Sequence, residues 1–412
     1  MTKHAVWGVL DQGIQSVINL LIGVLLIRYA SKNEYGVYGV GFSLIQLMVG
    51  FANAFVMTQM TVNMHSKDVV DRETYCGSMF IALSIFCLFV SSIFYIASSL
   101  TFLINYKKLL IVLSLSVPSY ILMEFIRRYY YLKQRAINAL VVSLFLLLSL
   151  SFSLYFVIFY KNIGNDLHFM VFISYAISGF IIAISSVILF IKFPLIKAFI
   201  ELKKSIVESF KNGLWACGGV FVTAVQNQGW VYLIASLKGV SIVAEANAAR
   251  LFLSPIGILS TSFNRVFMPK IAELYNEGSR NKAVTLSKKV LIFLLSIVIV
   301  YTSLLVLMLD WLVKFFMTAE YQSLELLVIL WAGYYLSQAI RSTPSQLLQV
   351  FRKFKIITKV NSFTAILWFS VSIWVVKYYS IYGVIVSMAV AEIILAMILW
   401  RKINNVRKAS EN

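Results

Sequence analysis

Runs of about 20 apolar residues recur from one end of the chain to the other, separated by short turn-like groups such as "SKNEYG", "KNIGND" and "KYYSIYG". A helix of about 20 residues covers a hydrocarbon core about 30 Å thick. The runs are unbroken rather than alternating, so they read as membrane-spanning helices and not as barrel strands. The pattern predicts an all-α polytopic membrane protein with about twelve spans, at 5–27, 37–57, 78–100, 109–130, 138–160, 168–191, 213–237, 245–267, 289–309, 322–340, 357–377 and 381–400. The first run carries polar residues in its middle and has no small-residue cleavage site behind a short apolar core. It therefore reads as a span and not as a cleavable signal peptide.

The polar residues inside these runs are ordered. "DQGIQSVIN" lies in the first span, and at about 100° per residue Asp11, Gln15, Gly8, Asn19, Gln12 and Ser16 fall within one arc of about 140°. Val9, Leu10, Ile14, Val17, Ile18, Leu20 and Leu21 lie on the other side. In span two Gly39, Ser43, Gln46, Gly50 and Asn53 are spaced 4, 3, 4, 3. In span eight Asn247, Arg250, Ser254, Gly257, Thr261 and Asn264 are spaced 3, 4, 3, 4, 3, which predicts one face from end to end. Span seven carries "QNQGW", with Gln226 and Asn227. Span four aligns Ser116, Tyr120 and Glu124, and span ten aligns Tyr334, Gln338 and Arg341. The other spans are plainer.

Two readings of the stripes compete. Small and polar residues glue membrane helices together, each interhelical hydrogen bond contributing about 0.6 kcal/mol. Alternatively, ionisable and amide side chains face a water-filled cavity. Whole-length stripes on spans one, two, seven and eight favour a hydrated central cavity, with Asp11 tolerated because it faces that water.

Composition supports the membrane reading. Of 412 residues, 60% are hydrophobic and 13% charged, about half the charge of a soluble protein. The net charge of +19 points to short basic inner loops rather than to nucleic acid. With the N-terminus inside, 27 lysines and arginines, those near span ends included, are counted to inner segments and 8 to outer ones, and Arg250 alone is counted to a span. Both termini are therefore expected to be cytoplasmic.

The longest inner connection, "KFPLIKAFIELKKSIVESFKNG", places Ile196, Phe199, Ile200, Val207 and Phe210 at roughly helical spacing among lysines. It reads as an amphipathic helix on the inner leaflet, with an ordinary solvated linker as the alternative. The organisation expected is an N-terminal lobe at 1–191, this linker at 192–212, a C-terminal lobe at 213–400 and a basic tail at 401–412. Setting Trp7 against Trp215 also sets Asn19 against Asn227, a weak sign that the halves are repeats of the kind transporters use.

Several chemistries are excluded or disfavoured. There is no G-x-x-x-x-G-K-[ST] phosphate loop. Cys76, Cys87 and Cys217 fit neither a metal site nor a disulfide framework and read as packing residues. His4, His65 and His168 are isolated near span ends and read as interfacial. No metal, cofactor or catalytic residue is implied. The outer loops are too short for the acceptor site of a membrane glycosyl polymerase or ligase, so the chain is not read as an enzyme.

"DQGIQSVINLLIGVLLIRYASKNEYGVYGV", Asp11 to Val40, and "LSPIGILSTSFNRVFMPKIAELYNEG", Leu253 to Gly278, resemble segments of polysaccharide exporters of the multidrug/oligosaccharidyl-lipid/polysaccharide (MOP) superfamily, and most of all O-antigen flippases. The resemblance covers the whole chain. It implies two six-helix lobes forming a V around a central cavity. It also implies a substrate built as an oligosaccharide on undecaprenyl pyrophosphate, moved from the cytoplasmic to the periplasmic leaflet of the bacterial inner membrane. Membrane lipids and other polysaccharide-assembly membrane proteins are the further partners implied. Related flippases present cations to the pyrophosphate, and Arg250 fits that role. Arg28 lies off the polar face and reads as snorkelling to outer headgroups. The several intramembrane arginines and two extra spans of the lipid II flippase branch are missing.

The substrate path is thus expected to use Gln15, Asn19, Gln46, Asn53, Gln226, Asn227, Asn247, Arg250, Ser254, Thr261, Asn264, Gln338 and Arg341. Asp11 and Glu124 are candidates for ion coupling. For Glu124 a local ion pair with Arg127 or Arg128 is the competing reading, whereas Asp11 has no basic neighbour within a turn. A small-molecule antiporter of the same superfamily is the alternative function, and a polymerase or ligase a distant third.

Overall fold

A computed structural model describes residues 3–63, 69–160, 166–191, 193–321, 324–351 and 353–408. The described residues are almost entirely helical, as the apolar runs predict. Lipid cannot hydrogen-bond a peptide group, so the chain satisfies its own backbone within helices. The protein is an all-α, multi-pass membrane protein. Its chain divides into two compact units, Met1–Ala224 and Val225–Asn412.

The first unit contains α1 (Lys3–Tyr29), α2 (Lys32–Ala52), α3 (Thr58–Asn63), α4 (Val69–Ala97), α5 (Lys107–Leu132), α6 (Ala136–Tyr160), α7 (Leu167–Ser185), α8 (Leu195–Ile200) and the start of α9 (Leu202–Leu237). Ser31 and Glu34 start α2 with a reciprocal cap. The Glu34 amide donates to Ser31 Oγ at 3.3 Å, and the Ser31 amide donates to Glu34 Oε2 at 2.8 Å. Glu34 Oε1 also accepts from the Asp166 amide at 2.6 Å and lies 3.2 Å from His168 Nδ1. His168, in the first turn of α7, is therefore a buried partner of Glu34. Between α2 and α3 the chain passes through a π-helical turn, Asn53–Met57.

Helix α5 is the hub of this unit and packs on α2, α4, α6 and α7. Its approach to α7 is close enough to require glycine. A Cβ on Gly179 would stand 2.8 Å from the Ser119 carbonyl oxygen. The inner connection forms two helices rather than one: α8 ends at Ile200, and α9 continues into span seven. Ile196, Phe199, Ile200 and Val207 are exposed.

The second unit holds the end of α9, then α10 (Val240–Leu251), α11 (Ser254–Asn276), α12 (Arg280–Leu307), α13 (Leu309–Phe316), α14 (Glu325–Val350) and α15 (Phe354–Lys408). Helix α14 is its hub, packed on α10, α11, α12 and α15, with Trp331 and Trp230 fully buried edge to face. Spans eleven and twelve form the continuous element α15, bent at Ser380, where φ is 50° and ψ −141°. That bend falls inside the predicted turn "KYYSIYG".

Span eight is not one straight helix. Pro255 has no amide hydrogen and its ring crowds the preceding turn, so α10 stops at Leu251 and α11 restarts at Ser254. The Ile256 amide bonds Leu253 O at 3.0 Å. The freed Phe252 carbonyl accepts from the Tyr301 hydroxyl of α12 at 2.7 Å.

Eight stretches among the described residues are long and apolar enough to cross a membrane, one of them covering Lys355–Asn404. Helices α9, α10, α11 and α14 are not among them, and they include spans seven, eight and ten, where polar stripes lie.

Candidate functional site

The first unit gathers its buried charge where α1, α5 and α6 meet. An ionised carboxylate in such a place is costly unless its lone pairs are met. Asp11 is 0% exposed. Its carboxylate accepts from Arg127 Nη2 at 2.7 Å and from the hydroxyls of Tyr131 and Ser143. Gln15 Nε2 donates to Ser143 Oγ at 2.9 Å. Arg127 Nη1 bonds Glu124. Glu124, Arg127 and Tyr131 are three and four residues apart, so they share one face of α5.

The expectation that Asp11 is tolerated by facing water is therefore corrected. Protein donors replace the water, chief among them an arginine contributed by α5. The two ion-coupling candidates, Asp11 and Glu124, converge on the single guanidinium of Arg127. Asn19, farther along the α1 stripe, is exposed. On the polar face of span two, Gln46 is half-buried. Asn53 Oδ1 accepts from Arg128 Nη2 at 3.3 Å.

In the second unit polar side chains collect on α14. Arg250 Nε donates to Tyr335 OH at 3.1 Å, and its Cζ sits 5.4 Å from the Trp331 ring centroid, the geometry of a cation over an aromatic face. Trp331, Tyr334 and Tyr335 pack against one another. Gln338 Nε2 donates to Tyr334 OH at 3.4 Å, and Gln226 Nε2 to the Asn361 carbonyl at 3.3 Å. Arg341 Nε donates to Glu392 Oε2 at 2.5 Å.

Asn227, Asn247 and Ser254 are half-buried. The kink at Pro255 divides the span-eight row, leaving Asn247 and Arg250 on α10 and Ser254 on α11. Thr261 and Asn264 lie outside the described side chains. Among the described residues no group of His, Cys, Asp and Glu assembles as a metal site.

Sequence reading missed Glu392 and misassigned Arg127. Glu392 sits in a span read as plain, although a lone carboxylate mid-span announces a partner by its cost. Arg127 was counted among the inner-loop charges, yet it lies within α5.

No protein-family model matches the chain, and no curated protein matches it. Solved structures do. An inward closed conformation of the lipid II flippase MurJ superposes with a TM-score of 0.71 at 17% identity, over 96% of this chain and 86% of that one. An inward-facing multidrug resistance MATE family transporter gives 0.71 at 13%, over 98% and 99%. A MOP superfamily transporter from Pyrococcus furiosus gives 0.63 at 12%, over 99% and 95%. The chain has the two-lobe helical fold of MOP superfamily transporters. These neighbours are transporters and flippases rather than enzymes.

Proposed function

We propose that the protein is a flippase for an oligosaccharide on undecaprenyl pyrophosphate, such as an O-antigen or related surface-polysaccharide unit. It moves this lipid from the cytoplasmic to the periplasmic leaflet of the bacterial inner membrane by alternating access, with both termini in the cytoplasm. The observation that carries this reading is Arg250. A guanidinium held by a tyrosine hydroxyl and an indole face, on a broken helix of a MOP fold, is suited to a charge-assisted bond with phosphate. The amides along the stripes offer hydrogen bonds to sugar hydroxyls. Asp11 and Glu124, sharing Arg127, are the carboxylates placed for coupling to an ion gradient. Other membrane proteins of polysaccharide assembly are the natural partners.

The test is complementation of a strain lacking its own flippase, read as cell-surface glycan. The wild-type chain restores surface glycan and Arg250→Ala does not, at equal protein level. Normal export by Arg250→Ala removes the role of that residue, and no export by the wild-type chain removes the reading.

The second reading is a small-molecule antiporter, favoured by the MATE likeness and by the two carboxylates around Arg127. Extrusion of cationic dyes by cells producing the chain, with no glycan phenotype, would select it. A reversed pocket polarity in the Pyrococcus furiosus transporter has been taken to suggest a different function for that protein, so pocket charge is the property to compare.

A further inference from the structure

The two halves of α15 enclose an apolar groove on the second unit. Its volume is about 890 Å³, and its walls include Leu367, Trp368, Val371 and Val375 before the bend and Val386 and Val390 after it. The 3–4 spacing of these residues puts them on one face of each half. The halves are tightest beside the bend, where a Cβ on Gly383 would stand 2.5 Å from Tyr379 Cβ and from a Val375 methyl carbon. Polar atoms in the walls are already paired. Trp368 Nε1 donates to Ser387 Oγ at 3.2 Å, Ser387 Oγ to the Val384 carbonyl at 2.8 Å, and Thr364 Oγ1 to the Val360 carbonyl at 3.0 Å. Val371, Val386 and Val390 are exposed at the mouth, within the membrane-spanning stretch Lys355–Asn404. Such a groove offers little to a sugar, and its complement is a hydrocarbon chain.

From Thr364 to Tyr379 the groove runs about 22 Å at 1.5 Å per residue. One leaflet's share of the hydrocarbon core is about 15 Å deep, so a whole acyl chain fits, whereas an undecaprenyl chain is far longer. Lipid tails are as apolar as the walls, and a chain gains little by exchanging one for the other. Selectivity must come from the head group, and the bend supplies a partner for it. Lys377 Nζ lies 5.2 Å from the Trp374 ring centroid. Lys238 Nζ donates to the Lys377 carbonyl at 3.2 Å, which leaves two of its three donors. Both lysines are exposed, and among the described residues neither pairs with a carboxylate. Tyr378 and Tyr379, exposed beside them, are of the type found at headgroup level. The charge count places this end of span eleven outside.

We propose that the groove is a binding site for an anionic glycerophospholipid of the outer leaflet. One acyl chain lies between the halves of α15, and the phosphodiester meets Lys238 and Lys377. The site belongs to the second unit alone and holds whether or not the cargo is a lipid-linked sugar.

The test is titration of the full-length protein in detergent, read by native mass spectrometry, with phosphatidylglycerol and with zwitterionic phosphatidylcholine of the same acyl chains. Wild type binds one phosphatidylglycerol about tenfold more tightly than phosphatidylcholine, since each lysine near the membrane surface strengthens anionic binding severalfold. Lys238→Gln with Lys377→Gln lowers phosphatidylglycerol affinity to that of phosphatidylcholine, and Lys238→Arg with Lys377→Arg keeps the preference. Val371→Trp fills the groove from its mouth and weakens both lipids severalfold. Ile366→Trp, exposed on the same helix but outside the groove, changes neither.

Equal affinity for the two lipids in wild type overturns the proposal, as does an unchanged preference in the glutamine pair. Wild-type binding of both lipids by Val371→Trp shows that the chain lies elsewhere and overturns it too. A short prenyl phosphate that displaces phosphatidylglycerol at equal concentration makes the groove a cargo site, and the phospholipid assignment falls.

Discussion

Arg127 Nη2 lies 2.7 Å from Asp11 Oδ2, joining α5 to α1 across 116 residues of sequence. Both side chains are nearly sealed from solvent, at 6% and 0% exposure. Removing one partner from a buried pair strands the other charge, at a cost of about 3–5 kcal/mol. Arg127→Gln strands Asp11 and should lower the melting temperature of the detergent-solubilised protein strongly. Asp11→Asn leaves Arg127 bonded to Glu124 and should cost clearly less. The double variant should recover part of the Arg127→Gln loss. Equal losses from the two single changes would mean that Glu124 does not share the guanidinium.

A second expectation follows from the α5–α7 approach. The Cβ of Gly179→Ala would meet backbone, the Ser119 carbonyl oxygen at 2.8 Å and carbon at 2.9 Å. Backbone cannot turn aside as a side-chain tip can, so the helices must part. The cost is about 1–3 kcal/mol, the range for overpacking. Gly333→Ala in α14 is the control, because nothing lies within 4 Å of its added Cβ. Relief of glycine's helix penalty should make that change stabilising by up to about 1 kcal/mol. Thermal melts that rank the two variants in the opposite order would contradict the packing described.

These two cases mark what sequence could and could not reveal. Helices were legible because their cause is local: each apolar run must satisfy its own backbone in lipid. The polar faces of α1 and α2 were legible from spacing, and the bend at Ser380 from its turn residues. Partners were not legible. Arg127 sits near a helix end, where loop and span look alike, and its carboxylate lies on another helix. Glu392 was passed over because one acid among "AVAEIILA" leaves no periodic trace. The break at Pro255 was available in principle, since a proline so placed cannot continue the hydrogen-bond ladder. The regular 3–4 spacing across it drew the eye instead.

Arg341 and Glu392 yield a third prediction. They pair at 2.5 Å between α14 and α15, with Glu392 almost buried at 7% and Arg341 at 20%. Glu392→Gln leaves a partly solvated arginine, and Arg341→Gln leaves a nearly buried carboxylate. The second should therefore destabilise more, toward the upper part of the range of about 3–5 kcal/mol for a stranded charge. Exchange of the two residues, Arg341→Glu with Glu392→Arg, should restore part of the loss. Melting temperatures of the three variants check the order. Equal losses from the single variants would place both side chains in the same dielectric environment.

The kink in span eight gives a coupling that can be measured. Pro255 removes one amide donor, and the Ile256 amide turns to Leu253 O, so the Phe252 carbonyl depends on the Tyr301 hydroxyl at 2.7 Å. Tyr301→Phe leaves that carbonyl without its donor, which costs about 1–3 kcal/mol for a buried group. Pro255→Ala restores an amide at 255 and allows α10 and α11 to merge, so that Ile256 can donate to Phe252 within the helix. In that background Tyr301→Phe should cost little. The double-mutant cycle on thermal stability should therefore give an interaction energy of about 1 kcal/mol or more, within the range for contacting residues. Additivity would mean that the tyrosine and the proline act independently, and that the carbonyl finds another donor. Because Arg250 lies on the last turn of α10, the straightened variant should also lose glycan export under the flippase reading, even where its stability is unchanged.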